Sequence, residues 1–205
     1  MISPDMPSNI SSDMSPEISS TVNQEAFPIP SADEQLRFLK QIQRILQSGS
    51  FTSTYKFALL MSITRLAIEQ GRDTGEMLTL DYQDIAEKFI ELYWRQSLPF
   101  HFQEHTPFVL HQNTGRQAKI ITSIQEAQAR FTTIASLRRN TQAWDKLKKT
   151  VADTVKRMPV VYLQNLNGYT VEFLYVLEHS KRQLNLLPKV MYNLRHFSEI
   201  IDELC

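Results

Sequence analysis

The sequence predicts a mainly α-helical protein: a helical bundle of about six helices with a small β-hairpin, behind a disordered N-terminal tail. Three observations carry this expectation. Apolar residues recur every three or four positions over most of the stretch from Leu36 to Leu204, the spacing that gathers them on one face of a helix. Glycine and proline punctuate that stretch at helix-length intervals, at Gly49, Gly71, Pro99, Pro159 and Pro188, where a helix is readily ended or begun. The period changes once, around Asn167-Gly168, where short apolar runs flank a turn dipeptide.

Residues 1–32 are rich in Ser, Pro, Asn and acids, and their few apolar residues show no period. Such a segment does not offset its own ordering entropy and is expected to be a solvated tail. Residues 33–205 then form one mainly helical domain. Leu36, Leu39, Ile42 and Leu46 place a first helix, which Gly49 stops. A second runs from about Thr54 to Gln70. Its apolar residues, among them Tyr55, Leu59, Leu60, Ile63 and Leu66, cover most of its surface, so it belongs at the centre of the core. Asp81 caps a third helix, which presents Ile85, Phe89 and Tyr93 and ends before Pro99.

Thr114 followed three residues later by Gln117 fits a capping box, and the helix behind it shows Ile121 and Ile124 on one side. A fifth helix follows Thr141, with Trp144, Leu147, Val151, Val155 and Met158 in step until Pro159. Val160–Leu163 and Tyr169–Tyr175 read as the two hairpin strands. Pro188 opens a last helix, where proline is tolerated at the first position, with Met191, Leu194, Phe197, Ile201 and Leu204 on its apolar side. That helix lacks a Gly or Asn cap and places Asp202 and Glu203 at the negative end of its dipole. Truncation of a longer chain and a frayed terminus both account for this.

Charge narrows the function classes. Lys+Arg is 22 and Asp+Glu is 22, so the total alone points to no nucleic acid, membrane or acidic partner. The distribution is uneven. Residues 1–32 carry Asp5, Asp13, Glu17 and Glu25 and no Lys or Arg, which leaves 22 basic and 18 acidic residues in the remainder. From Arg116 to Arg157 stand ten cations against Glu126, Asp145 and Asp153. Counterion release makes such a stretch a candidate phosphate-binding surface, although cations on outer helix faces also serve plain solvation. The candidate nucleic-acid contacts are Gln112, Asn113, Arg116, Gln117, Lys119, Arg138, Arg139, Lys146 and Lys149. Asn, Gln and Arg are the side chains that read adenine and guanine edges, and a helix start offers free N–H groups to phosphate.

Other chemistry finds little support. The one cysteine, Cys205, excludes an internal disulfide and a cysteine-built metal site. The apolar stretches fall short of the roughly 20 residues that span a bilayer, and the N-terminus has no basic-then-apolar leader, so the cytoplasm is the expected compartment. His101 and His105 have the four-residue spacing of helical metal ligands, but Pro99 and Pro107 flank them and Glu104 is the only nearby carboxylate. No metal or other cofactor is expected. Asp84, Glu87 and Lys88 lie along one helix and read as a solvated face. Nucleophile elbows and glycine-rich phosphate loops are absent. The run Leu80–Phe89 has the spacing of the positioning helix of a helix-turn-helix, but the next helix starts too far away for the tight turn.

Several blocks occur together: Ile42-Gln43-Arg44-Ile45-Leu46 leading to Gly49-Ser50-Phe51, then Thr54-Tyr55-Lys56-Phe57-Ala58-Leu59-Leu60, Ile85-Ala86-Glu87-Lys88-Phe89-Ile90, Tyr93-Trp94-Arg95-Gln96 and Gln112-Asn113-Thr114-Gly115-Arg116-Gln117-Ala118. Phe173-Leu174-Tyr175, Leu187-Pro188 and Leu194-Arg195-His196-Phe197 follow in order. This succession, over roughly residues 36–204, resembles the N-terminal region of a group of bacterial HNH-endonuclease proteins. In that family the nuclease motif follows this region, with a histidine base, metal-ligating histidine and often zinc-binding cysteine pairs. None of these is present, so no catalytic residue carries over. The resemblance implies an accessory domain that engages DNA for an HNH catalytic domain or chain and is not catalytic by itself. The competing expectation is a protein-interaction or oligomerisation domain that docks a partner through Tyr93, Trp94 and the apolar side of the last helix.

Overall fold

The structure is a computed structural model, and it describes residues 27–47, 54–98, 118–166, 168–178 and 182–205. The helices are α1 (Ala32–Gln47), α2 (Tyr55–Gln70), α3 (Tyr82–Gln96), α4 (Lys119–Gln128), α5 (Ile134–Arg139), α6 (Thr141–Arg157), α7 (Pro159–Tyr162), α8 (Val190–His196) and α9 (Ser198–Leu204). The strands are β1 (Leu78–Asp81), β2 (Asn165–Leu166), β3 (Tyr169–Thr170) and β4 (Gln183–Leu186). The fold is thus mainly helical with two small antiparallel strand pairs, β1 with β4 and β2 with β3.

Helix α2 is the hub. It packs against α3, α7, α8, α9 and β1, and Leu59, Leu60, Ile63 and Ala67 on it are fully buried. This is the outcome expected of a helix that is apolar nearly all round. Its end is closed by a tight crossing. A side chain at Gly71 would meet the Ala67 carbonyl oxygen at 2.3 Å and Met191 Cγ at 2.8 Å. Arg195 of α8 donates from Nη1 to the carbonyls of Ala67 and Ile68, at 3.1 and 2.8 Å, and from Nε to Asp73. A guanidinium at a helix C-terminus satisfies carbonyls that have no partner within the helix.

Helix α3 begins as its sequence predicts: the Asp81 carboxylate accepts from Gln83 N at 2.7 Å. Ile85, Phe89 and Tyr93 are all buried. It packs along α6, which buries Trp144, Leu147, Val151 and Val155 against it and against α4. Asn140 caps α6, its side-chain oxygen accepting from Ala143 N. The expected α6 seam runs one residue too far, because Met158 lies beyond the last turn and is 51% exposed. At the other end of the chain Leu36 is 52% exposed, while Phe38 and Ile45 complete the buried face of α1.

Three expectations need correction. Val160–Leu163 is not a strand: Pro159 starts the short helix α7, and the hairpin is confined to Asn165–Leu166 and Tyr169–Thr170. Its turn is where Asn167-Gly168 predicted, with Gly168 at φ +88° and its N–H donated to the Asn165 side chain. The helix behind the supposed Thr114–Gln117 box begins at Lys119, after an extended Ala118; Thr114 and Gln117 lie outside the described residues. The last helix is two, α8 and α9, broken at Phe197, and it starts behind a left-handed Lys189 at φ +70°.

Strand pair β1–β4 was not foreseen. Leu78 faces Leu186 and Leu80 faces Leu184 in antiparallel register, with Leu80, Leu184 and Leu186 buried. Ahead of α1, residues 27–30 run against Gly75, where a side chain would meet the Pro28 carbonyl oxygen at 2.1 Å. Among the described residues, no helix is long and apolar enough to cross a membrane.

Candidate nucleic-acid interface

The segment from Ala118 to Arg157, which forms α4, α5 and α6, carries nine cations and three acids, and of the cations only Arg130 lies between helices. The fold gives these cations different fates. Arg138 is exposed but paired: its guanidinium donates to Glu87 at 2.6 Å and to Glu91 at 2.5 Å, both on α3, and lies over the Trp144 ring. Burial alone would lower the Arg138 pKa; the two carboxylates outweigh it and hold it above its ordinary value. Lys148 also lies over Trp144, and Lys156 lies over Tyr82. On α3, Lys88 is paired with Glu69 and Glu91, and Asp84 accepts from Gln70. The acids and lysine of α3 therefore hold helices together.

Lys119, Arg139, Lys146, Lys149 and Arg157 behave otherwise. Each is exposed, and none is paired with a carboxylate among the described residues. Lys119 stands in the first turn of α4 and Arg139 at the last position of α5. Lys146 and Lys149, three apart on α6, are neighbours on the helix surface. Gln112, Asn113, Arg116 and Gln117 lie outside the described residues.

The start of α4 is not an open anion site at its second position. Ala118 offers no side-chain cap, and the Tyr55 hydroxyl of α2 takes the role instead, accepting from Ile120 N at 3.1 Å. Burial pushes the Tyr55 phenol up to about 12. Tyr93, beside it, is hydrogen-bonded to Thr54 at 2.6 Å. Tyr93 and Trp94 are 2% and 6% exposed, so neither offers the docking surface expected of it. Met191, Leu194 and Ile201 of the last helices are likewise spent on the core.

Between α4 and the α5–α6 pair lies a cleft of about 160 Å³. Phe131, Leu137 and Leu147 line it, and Ala127 and Ala143 leave it unfilled because their side chains are too short. Arg130, Lys146 and Glu126 supply its charges, and the Arg130 guanidinium lies over the Phe131 ring at 5.6 Å from the centroid. Sequence reasoning counted Arg130 in the basic stretch but missed the cleft. The adjacent Arg130-Phe131 pair between two helices was its only trace.

A family model for a domain of unknown function, DUF8808, matches residues 35–201. The chain belongs to this family. No curated protein and no solved structure matches it. The DUF8808 match takes in β1 to β4 and α2 to α8 whole, and with them the cleft and every described candidate residue. Among the described residues of this DUF8808 domain, no three His, Cys, Asp or Glu side chains converge as metal ligands would. His101, Glu104 and His105 lie outside those residues. His196 stacks on Tyr192 with ring centroids 4.0 Å apart.

Proposed function

We propose that the chain is a DNA-engaging accessory domain, cytoplasmic and bacterial, that works beside an HNH-type catalytic domain or chain and is not catalytic by itself. The observation that carries the reading is the sorting of charge on α4–α6. Where a cation has a structural task, as Arg138 has, it meets carboxylates of α3. Lys119, Arg139, Lys146, Lys149 and Arg157 have no such task and face solvent. Lys146 and Arg157 alone span eleven residues of one helix, roughly 16 Å, enough to reach several phosphates spaced along a backbone. The resemblance over residues 36–204 supports the HNH setting.

The test is a titration of a labelled DNA duplex at two salt concentrations. With about four phosphate contacts, affinity should fall roughly a hundredfold between about 50 and 200 mM monovalent salt, because each contact releases condensed counterions. The double reversal Lys146→Glu/Lys149→Glu should weaken binding and flatten that dependence. Arg138→Gln should flatten it less, since its charge is already matched. Absent or salt-insensitive binding, to the duplex and to single-stranded DNA alike, would overturn the reading.

A further inference from the structure

We infer that the cleft between α4 and the α5–α6 pair holds one unstacked nucleobase of a DNA single strand, with the adjoining phosphates on Arg130, Lys146 and Lys149. The inference rests on the DNA-engaging reading of the same face and adds the form of DNA that the face selects.

Size sets the first limit. At about 160 Å³ the cleft is smaller than the roughly 300–1,000 Å³ that holds a whole small-molecule ligand, and it suits a single ring system. Its walls are of the kind that bases stack on. Phe131 presents an aromatic ring, Arg130 a planar guanidinium against that ring, and Leu137 and Leu147 a dry floor. Aromatic rings and arginine planes are the sequence-tolerant platforms of single-strand sites. Charge sets the partner. Arg130 and Lys146 flank the opening, and Lys149 follows within one turn of α6. The one acid lining the cleft, Glu126, is an acceptor suited to the exocyclic amino group of cytosine or adenine. A base inside a duplex is stacked and paired on both sides, so only a single-stranded or locally opened segment offers it.

The experiment compares a short deoxycytidine oligomer with an equally long abasic deoxyribose-phosphate strand, in anisotropy titrations at one salt concentration. The native chain should prefer the oligomer by about tenfold, in the range of a single base–aromatic stack. Phe131→Leu, which keeps apolar bulk and removes the π face, should abolish that preference. Ala127→Leu should do the same by filling the cleft with a good helix former, which keeps the test open if the Phe131 variant fails to fold. Phe131→Trp should retain the preference. Equal, salt-sensitive binding of both strands would overturn the base pocket and leave the DNA-engaging reading standing. Absence of binding to either strand and to duplex would remove both. An acidic peptide with an aromatic residue that binds in a Phe131- and Lys146-dependent way, with no preference between the strands, would reassign the cleft to a protein partner and overturn the inference.

Discussion

Gln164 is 1% exposed, and its side chain is fully used. Its Oε1 accepts from the N–H groups of Leu174 at 2.7 Å, Phe173 at 2.9 Å and Tyr175 at 3.3 Å, while its Nε2 donates to the Tyr175 carbonyl at 2.9 Å. One amide thus organises the irregular segment between β3 and β4, which has few ladder bonds of its own. Gln164→Leu leaves those backbone groups buried without partners, and a buried unsatisfied group costs about 1–3 kcal/mol. The variant should lose about 3 kcal/mol of stability in a urea titration; a loss within about 0.5 kcal/mol would show that the segment does not depend on this amide. Nothing in the sequence marks Gln164, because a glutamine between Leu163 and Asn165 reads as surface. Arg138 and Arg139 make the same point. They are adjacent and chemically identical, yet one meets Glu87 and Glu91 and the other faces solvent. Composition located the basic stretch; which of its members are neutralised depends on α3, some fifty residues earlier.

Elements with a strong 3.6-residue period were legible, because an apolar stripe has one stable arrangement against a core. That holds for α3 and α6, whereas α2 was legible because it is apolar nearly all round and so belongs inside the core. Elements shorter than two turns were not. Val160-Val161 is a β-branched pair that suggests strand, but Pro159 pre-sets a helical first position and α7 forms. The start of α1 was written in the sequence and overlooked: Ser31 and Glu34 form a capping box, with Ser31 N donating to the Glu34 carboxylate at 2.8 Å and Glu34 N to Ser31 Oγ. Lys189, in its left-handed conformation, donates from Nζ to the same carboxylate at 2.7 Å. These bonds, Lys189 first and Ser31 next, lower the Glu34 pKa from 4.5 to about 2. A carboxylate whose folded pKa lies below its unfolded value adds stability above the unfolded pKa and loses it as pH falls through the folded one. Between pH values of about 5 and 2 the native chain should therefore lose stability that a Glu34→Gln variant has already lost. Thermal melts across that window should converge for the two proteins at the acid end and separate above it. Parallel curves would mean that Glu34 gains nothing from its ionised form.

At the scale of the molecule, distant parts of the chain close into one core. Strand β1 pairs with β4 across a separation of about a hundred residues, and Thr79 bonds the Asn185 side chain at 2.9 Å. Two four-residue runs with no shared turn carry no local signal of pairing, which is why this sheet was invisible in the sequence. The pair seats Leu80, Leu184 and Leu186 among buried residues that extend from Phe38 to Ile201. A core continuous from the first helix to the last makes unfolding a single event. Leu80→Ala should then cost about 2–5 kcal/mol, the usual range for a buried leucine truncated to alanine, and should lower every part of the transition together. The two tryptophans provide the check, since Trp94 sits on α3 and Trp144 on α6, both away from the strand pair. Their fluorescence and the far-UV circular dichroism should give coincident urea transitions in the native chain, and in Leu80→Ala both should move to lower denaturant by the same amount. If the dichroism shifted while the fluorescence stayed, β1–β4 and α2 would form a unit that unfolds independently of α3 and α6. The basic face on α4–α6 would then rest on the α3–α6 packing alone.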